Sequence, residues 1–434
     1  MYILRSLELE SLLNSRSVFL LGPRQTGKSS YIRSQLASVV HKTYNLLDQG
    51  LLRRLLADPT LVRQELAANG FRDRVVCIDE IQKCPSLLDE VQLLIEERGT
   101  VFLLTGSSAR KLHARGANLL GGRGRDRTMH PLTWFELGKD FDLFEAFRRG
   151  LVPSHWLSDD PEDDLDSYVG RYLTEEIAAE GISRNIPAFS RFLSAATVAN
   201  AQELNYTAVA SDAGVTRQTV QSWFAILEDT LLGEQIQAYT RTMKRKAIER
   251  SKFYFFDLGV VRALRGFPVV TEGSADIGPF FEHFIYMELA AWRDYRSPRT
   301  CIRYWRSTSG FEVDFILGDD IAIEVKATTS VGERDLRGLR ALREEGLMSS
   351  YTVVCREGSA RRLDGIDILP WETFLERLWA GSLILRGSAV ATSAAPEAGA
   401  PAVTAGRRYS GDGIRRASRD RSGRACARSR RAPT

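Results

Sequence analysis

A chain of 434 residues with 44% hydrophobic and 26% charged side chains is too long for one ordinary core, so two or three packed domains are expected. No apolar run reaches the ~18 residues that a bilayer span needs, and the N-terminus lacks the basic and apolar regions of a leader, which predicts a cytoplasmic protein with no membrane partner. The net charge of +4 is unevenly spread: eleven Arg against three acidic residues put +8 on residues 386–434 and leave −4 on the rest.

Residues 1–135 alternate strand-like runs (Val18–Leu21, Val75–Ile78, Val101–Leu104) with helical segments, the pattern of a parallel α/β sheet. The first run leads into Gly22, Pro23, Arg24, Gln25, Thr26, Gly27, Lys28 and Ser29 and then into a helix, and GxxxxGK[ST] in that context is a P-loop. Its backbone N–H groups and the helix N-terminus face the phosphates of ATP. Lys28 is expected to reach the β- and γ-phosphates, and the Ser29 hydroxyl to ligate Mg2+. The second run ends in Asp79-Glu80, where Asp79 would hold the Mg2+ shell and Glu80 would polarise the attacking water. The third ends in Thr105-Gly-Ser107-Ser108, with Ser107 the first candidate and Thr105 the second for a small polar sensor of the γ-phosphate. Arg123 precedes an expected last strand, Arg127–Pro131. It is the better candidate, ahead of Arg125, for an arginine finger reaching a neighbouring subunit, which would require a homo-oligomer.

Residues 136–200 have helical periodicity, and Tyr206–Glu228 reads as helix, turn at Gly214, N-cap at Thr216, and second helix, a helix-turn-helix pattern. Arg217, Gln218 and Gln221 fall at its outward positions, where DNA could be read, but one charge among three makes a thin phosphate-binding stripe and favours a structural lid. Residues 251–385 return to mixed α/β, with strands expected at Ile302–Trp305, Glu312–Leu317, Ile321–Val325 and Tyr351–Cys355. Period two places Asp314 on one face of its strand and Glu324 with Lys326 on one face of the next. Glu282 lies on an upstream helix. Residues 386–434 are rich in Ala, Gly, Ser, Pro and Arg and predict a disordered basic tail.

Gly22-Pro-Arg-Gln-Thr-Gly-Lys-Ser, Asp79-Glu-Ile-Gln-Lys, Leu104-Thr-Gly-Ser-Ser, Pro131-Leu-Thr-Trp-Phe-Glu-Leu and Tyr254-Phe-Phe-Asp-Leu-Gly together resemble the signatures of uncharacterised bacterial and archaeal AAA-type ATPases. In that group the C-terminal half is a restriction-endonuclease-like domain of unknown function, and the resemblance spans about residues 1–380. It implies a multidomain α/β fold: an AAA+ P-loop core with a parallel sheet (1–135), a helical lid (136–200), a winged-helix-like segment (201–250), a mixed α/β PD-(D/E)xK-like domain (251–385), and the tail (386–434). ATP and Mg2+ are the implied cofactors, with a second divalent metal at Glu282, Asp314 and Glu324 beside Lys326. Two functions follow as expectations: an ATPase coupled to a nucleic-acid-binding or nuclease-like domain, or an NTP-gated module that binds DNA or protein without cleaving.

Overall fold

The computed structural model describes residues 2–70, 74–108, 124–173 and 185–383, which form a five-stranded and an eight-stranded sheet. The first sheet holds β1 (Ser17–Leu21), β2 (Val40–Asn45), β3 (Val75–Asp79), β4 (Val101–Gly106) and β5 (Gly124–Thr128), all parallel, in the order β2-β3-β4-β1-β5. β1 and β3 are buried along their whole length, as parallel strands covered on both faces must be. Alternate side chains feed two apolar clusters, Val18, Leu20, Cys77 and Leu103 into one and Phe19, Leu21, Val76, Ile78, Phe102 and Leu104 into the other. Because β4 lies between β1 and β3, the loops at their carboxyl ends converge, the place where open α/β sheets bind ligands.

The last strand differs from the sequence expectation, running Gly124–Thr128 rather than Arg127–Pro131. It is an edge strand whose Arg125 and Asp126 are exposed, and an edge tolerates charged side chains that an apolar search passes over. β2 escaped notice for the same reason: among its six residues only Tyr44 is buried.

Beyond this sheet the helices Leu143–Arg149, Pro161–Ser167 and Ile186–Val198 lead to the pair Tyr206–Ala213 and Arg217–Asp229. Gly214 takes φ +67°, and Thr216 caps the second helix by accepting the Thr219 N–H at 3.2 Å. Arg217, Gln218 and Gln221 are exposed. The second sheet follows at once with β6 (Gly233–Ala238), β7 (Lys252–Phe255), β8 (Ile302–Arg306), β9 (Glu312–Leu317), β10 (Ile321–Val325), β11 (Ser350–Cys355), β12 (Arg361–Leu363) and β13 (Ile366–Pro370). Their order is β12-β13-β11-β10-β9-β8-β6-β7, so this sheet runs across residue 250. The helices Ile277–Arg296 and Trp371–Trp379 pack against each other, and one apolar cluster continues from Val18 and Leu20 through Phe147, Phe192 and Phe284 to Trp371. The tail 386–434 lies outside the described residues.

Candidate functional site

The loop after β1 is shaped by two glycines. A Cβ on Gly22 would stand 2.5 Å from the Met129 carbonyl oxygen, and Gly27 has φ +93° at the N-cap of the helix Lys28–Gln35. Lys28 is buried and folds its ammonium across the loop, donating to Gly22 O at 2.7 Å and Pro23 O at 2.9 Å. Thr26 Oγ1 donates to Pro23 O at 2.8 Å, tightening the curl. Arg24 and Gln25 are exposed at the loop tip, where Gln25 accepts from Ser154 Oγ at 2.7 Å. Arg5 braces the loop from behind: its guanidinium donates to Thr26 O at 2.7 Å and pairs with Glu136 at 3.0 Å.

Ser29 Oγ donates to Asp79 Oδ2 at 3.1 Å, which brings together a hydroxyl and a carboxylate fifty residues apart in the chain. These are hard oxygen donors of the kind Mg2+ prefers. The other oxygen of Asp79 accepts from the Thr105 hydroxyl, and Thr105 Oγ1 accepts the Glu80 N–H at 3.1 Å. Thr105 therefore serves the Asp79–Glu80 turn itself, and Ser107 follows the end of β4 as a separate buried hydroxyl. Glu80 adopts the left-handed conformation, φ +63°, and its Oε2 accepts from Gln82 Nε2 at 2.5 Å. Gln82 Nε2 also lies 3.2 Å from Ser107 Oγ. Sequence reasoning included Gln82 in the signature Asp79-Glu-Ile-Gln-Lys but gave it no role, because a glutamine two positions beyond an acidic pair has no periodic signal; the turn Ile81–Lys83 folds it back. Arg123 lies outside the described residues.

Glu282, Asp314, Glu324 and Lys326 gather in a second cluster at the other sheet. Lys326 Nζ is 2.6 Å from Glu324 Oε1, and Asp314 Oδ2 accepts the Val325 N–H at 2.8 Å. At its centre stands a residue the sequence reading missed, Lys252 at the start of β7. It is 2% exposed, with its ammonium 2.7 Å from Glu312, 3.2 Å from Glu282 and 3.9 Å from Asp314. Tyr254 OH donates to Glu282 Oε1 at 2.6 Å. Burial opposes the charge on Lys252, yet Glu282, Asp314 and Glu312 hold its pKa above the usual lysine value. Burial raises the Glu282 carboxyl to about 7 although Lys252 pulls it down, and burial together with Asp314 raises Glu324 well above the carboxylate range. Among the described residues no group of three His, Cys, Asp or Glu could hold a metal ion. The expected second divalent metal is thus unsupported: ammonium groups supply the positive charge there. The hint lay in Lys252 and Tyr254, a lysine and a tyrosine two apart in an apolar strand, which period two puts on one face.

A chain of part-buried contacts runs from the second cluster toward the end of β5. The Tyr254 ring stacks on Tyr286 with centroids 4.1 Å apart, Tyr286 OH donates to Glu234 at 2.9 Å, and Arg293 grips Glu234 at 2.8 and 2.9 Å. Arg293 also pairs with Asp294 at 2.7 Å, and Asp294 lies 2.8 Å from His130 Nε2, just past β5. Arg293 and His130 outweigh burial and hold Asp294 below the usual carboxylate range. A cavity of about 730 Å3 opens beside this chain, lined by Pro23, His130, Glu234, Tyr254, Arg293 and Arg303 among others.

Residues 14–138 match a family described as AAA domain. Residues 140–270 and 277–374 match two domains of unknown function, DUF8612 and DUF4143. No curated protein matches the chain. The N-terminal region is accordingly similar to AAA-type P-loop ATPases, whereas neither C-terminal description names an activity or an endonuclease fold. Among the described residues no helix is long and apolar enough to cross a membrane.

Proposed function

We propose that this chain is a Mg2+-dependent ATPase of the AAA type, with catalysis at the carboxyl ends of β1, β3 and β4. The observation that carries the reading is the Ser29–Asp79 contact with Glu80 and Ser107 linked beside it. In this reading the loop Gly22–Ser29 wraps the triphosphate, and Lys28 exchanges its contacts with Gly22 O and Pro23 O for β- and γ-phosphate oxygens. Ser29 and Asp79 would hold Mg2+, whose charge offsets that of the phosphates. Glu80 would polarise the water that attacks the γ-phosphorus and accept its proton as the bond to the β–γ bridging oxygen breaks and ADP leaves with that oxygen, and Ser107 would contact the γ-phosphate. Arg123 would act in trans within a homo-oligomer.

For the C-terminal half we favour a module that binds DNA or protein without cleaving, gated by nucleotide, over a nuclease. The favouring observation is Lys252, whose ammonium stands among the carboxylates that would otherwise take a metal. Nucleotide titration and steady-state turnover test the ATPase reading. Lys28→Ala should weaken ATP binding, whereas Glu80→Gln should keep binding and lose about 10²-fold or more in turnover. Undiminished turnover in Glu80→Gln would remove Glu80 from this role.

A further inference from the structure

The turn Ile81–Lys83 returns the chain beneath the end of β4 and buries Gln82, a residue 8% exposed. Its one nitrogen carries two protons, and two acceptors stand within reach: Glu80 Oε2 at 2.5 Å and Ser107 Oγ at 3.2 Å. Its oxygen is buried with no hydrogen-bond partner among the described residues. The amide is therefore oriented by its nitrogen, which faces the Glu80 carboxylate and Ser107, at the cost of an unpaired oxygen. The opposite wall is cut to fit it, because a Cβ on Gly106 would stand 2.7 Å from Gln82 Oε1. Glu80 is meanwhile held at φ +63°, a conformation that a side chain this long seldom adopts. Two fixings maintain it: Thr105 on its N–H and Gln82 on its carboxylate.

We infer that Gln82 is a positioning residue for hydrolysis, a single amide that fixes the Glu80 carboxylate relative to Ser107. This deepens the ATPase reading and rests on it. Ser107 stands where the γ-phosphate would be sensed and Glu80 where water would be polarised, so a rigid link between them sets the line of attack before nucleotide arrives. Gly106 is the space that admits the link.

The test is steady-state ATP hydrolysis and nucleotide titration with the full chain, comparing wild type with Gln82→Ala, Ser107→Ala, the double variant and Gly106→Ala. Gln82→Ala should lower kcat by about 10- to 100-fold, the loss that accompanies a misplaced reacting group, while KM for ATP stays within about twofold. In the Ser107→Ala background the same substitution should cost far less, since the link has already lost one end. Gly106→Ala, which pushes the amide aside without removing it, should reproduce the fall in kcat, and it stands in if Gln82→Ala fails to fold. An unchanged or raised kcat in Gln82→Ala overturns the inference. So does a parallel change in KM, kcat and melting temperature, which marks a merely structural role. If Glu80→Gln is inactive while Gln82→Ala is fully active, this inference alone falls; if Glu80→Gln is fully active, the ATPase reading on which it rests falls with it.

Discussion

Both sheets of this protein gather carboxylates near strand ends, and their surroundings are opposite in kind. Asp79 and Glu80 are met by neutral donors: the hydroxyls of Ser29 and Thr105, and the amide of Gln82. Glu282, Glu312, Asp314 and Glu324 are met by the ammonium groups of Lys252 and Lys326. Neutral donors orient a carboxylate without cancelling its charge, which is what the proposed Mg2+ site requires of the first centre. At the second, two ammonium groups stand where a cation would otherwise sit and offset part of the charge of four carboxylates, and Glu282 and Glu324 are held toward the neutral form by burial. The same residue types therefore serve different ends, and the partner decides which.

The largest effect should come from removing that partner. Lys252→Met would leave Glu282, Glu312 and Asp314 facing one another in a buried site, and we expect a loss of about 3–5 kcal/mol in unfolding free energy, measured by chemical denaturation. The loss should shrink toward pH 6 as Glu282, already raised to about 7, takes up a proton. A variant as stable as wild type at pH 8 would make Lys252 a bystander. The counterpart at the first centre acts on turnover: Asp79→Asn should cost about 10²-fold or more in Mg2+-dependent hydrolysis, whereas Asp314→Asn should leave turnover within about twofold.

Metal binding sharpens the same contrast. By calorimetry, the nucleotide-free wild type should show no saturable Mn2+ site that disappears in Asp314→Asn. Lys252→Met should gain one, because the vacated position then lies among carboxylate oxygens. An Asp314-dependent site in wild type would restore the metal reading of the second sheet.

How much of this was legible in the chain depended on how local each feature is. The run Ser17–Ser29 declared its strand, loop and helix because a buried strand and two glycines at fixed spacing are neighbours in sequence. Glu312–Leu317 and Ile321–Val325 were placed at their true ends, since a short turn and period two determine both. β2 and β5 were obscured by being polar edge strands. Gln82 links its near neighbour Glu80 to Ser107, 25 residues on, and Lys252 meets Glu282 30 residues away; no spacing rule connects a residue to a partner that only the folded sheet brings near.

A smaller effect concerns the long helix Ile277–Arg296, which carries both Glu282 and a second buried acid, Glu288. Glu288 is 1% exposed and accepts from the Trp134 N–H at 2.7 Å and from Trp379 Nε1 at 2.9 Å, tying the segment after β5 to the C-terminal helix. Unlike the carboxylates around Lys252, it has no cation beside it among these contacts, and burial raises its pKa from 4.5 to about 8. Because the folded value lies above the unfolded one, its contribution to stability is fully present below about pH 4.5 and is lost as pH rises through 8. Glu288→Gln keeps an acceptor for the two tryptophans and removes the ionisation. Its extra amide N–H groups take back part of the benefit, leaving a gain of about 1–2 kcal/mol at pH 8 and little or none at pH 5. Thermal melts of both proteins across that range measure it, and a wild-type curve that runs parallel to the variant from pH 5 to 8 would show that Glu288 does not titrate there.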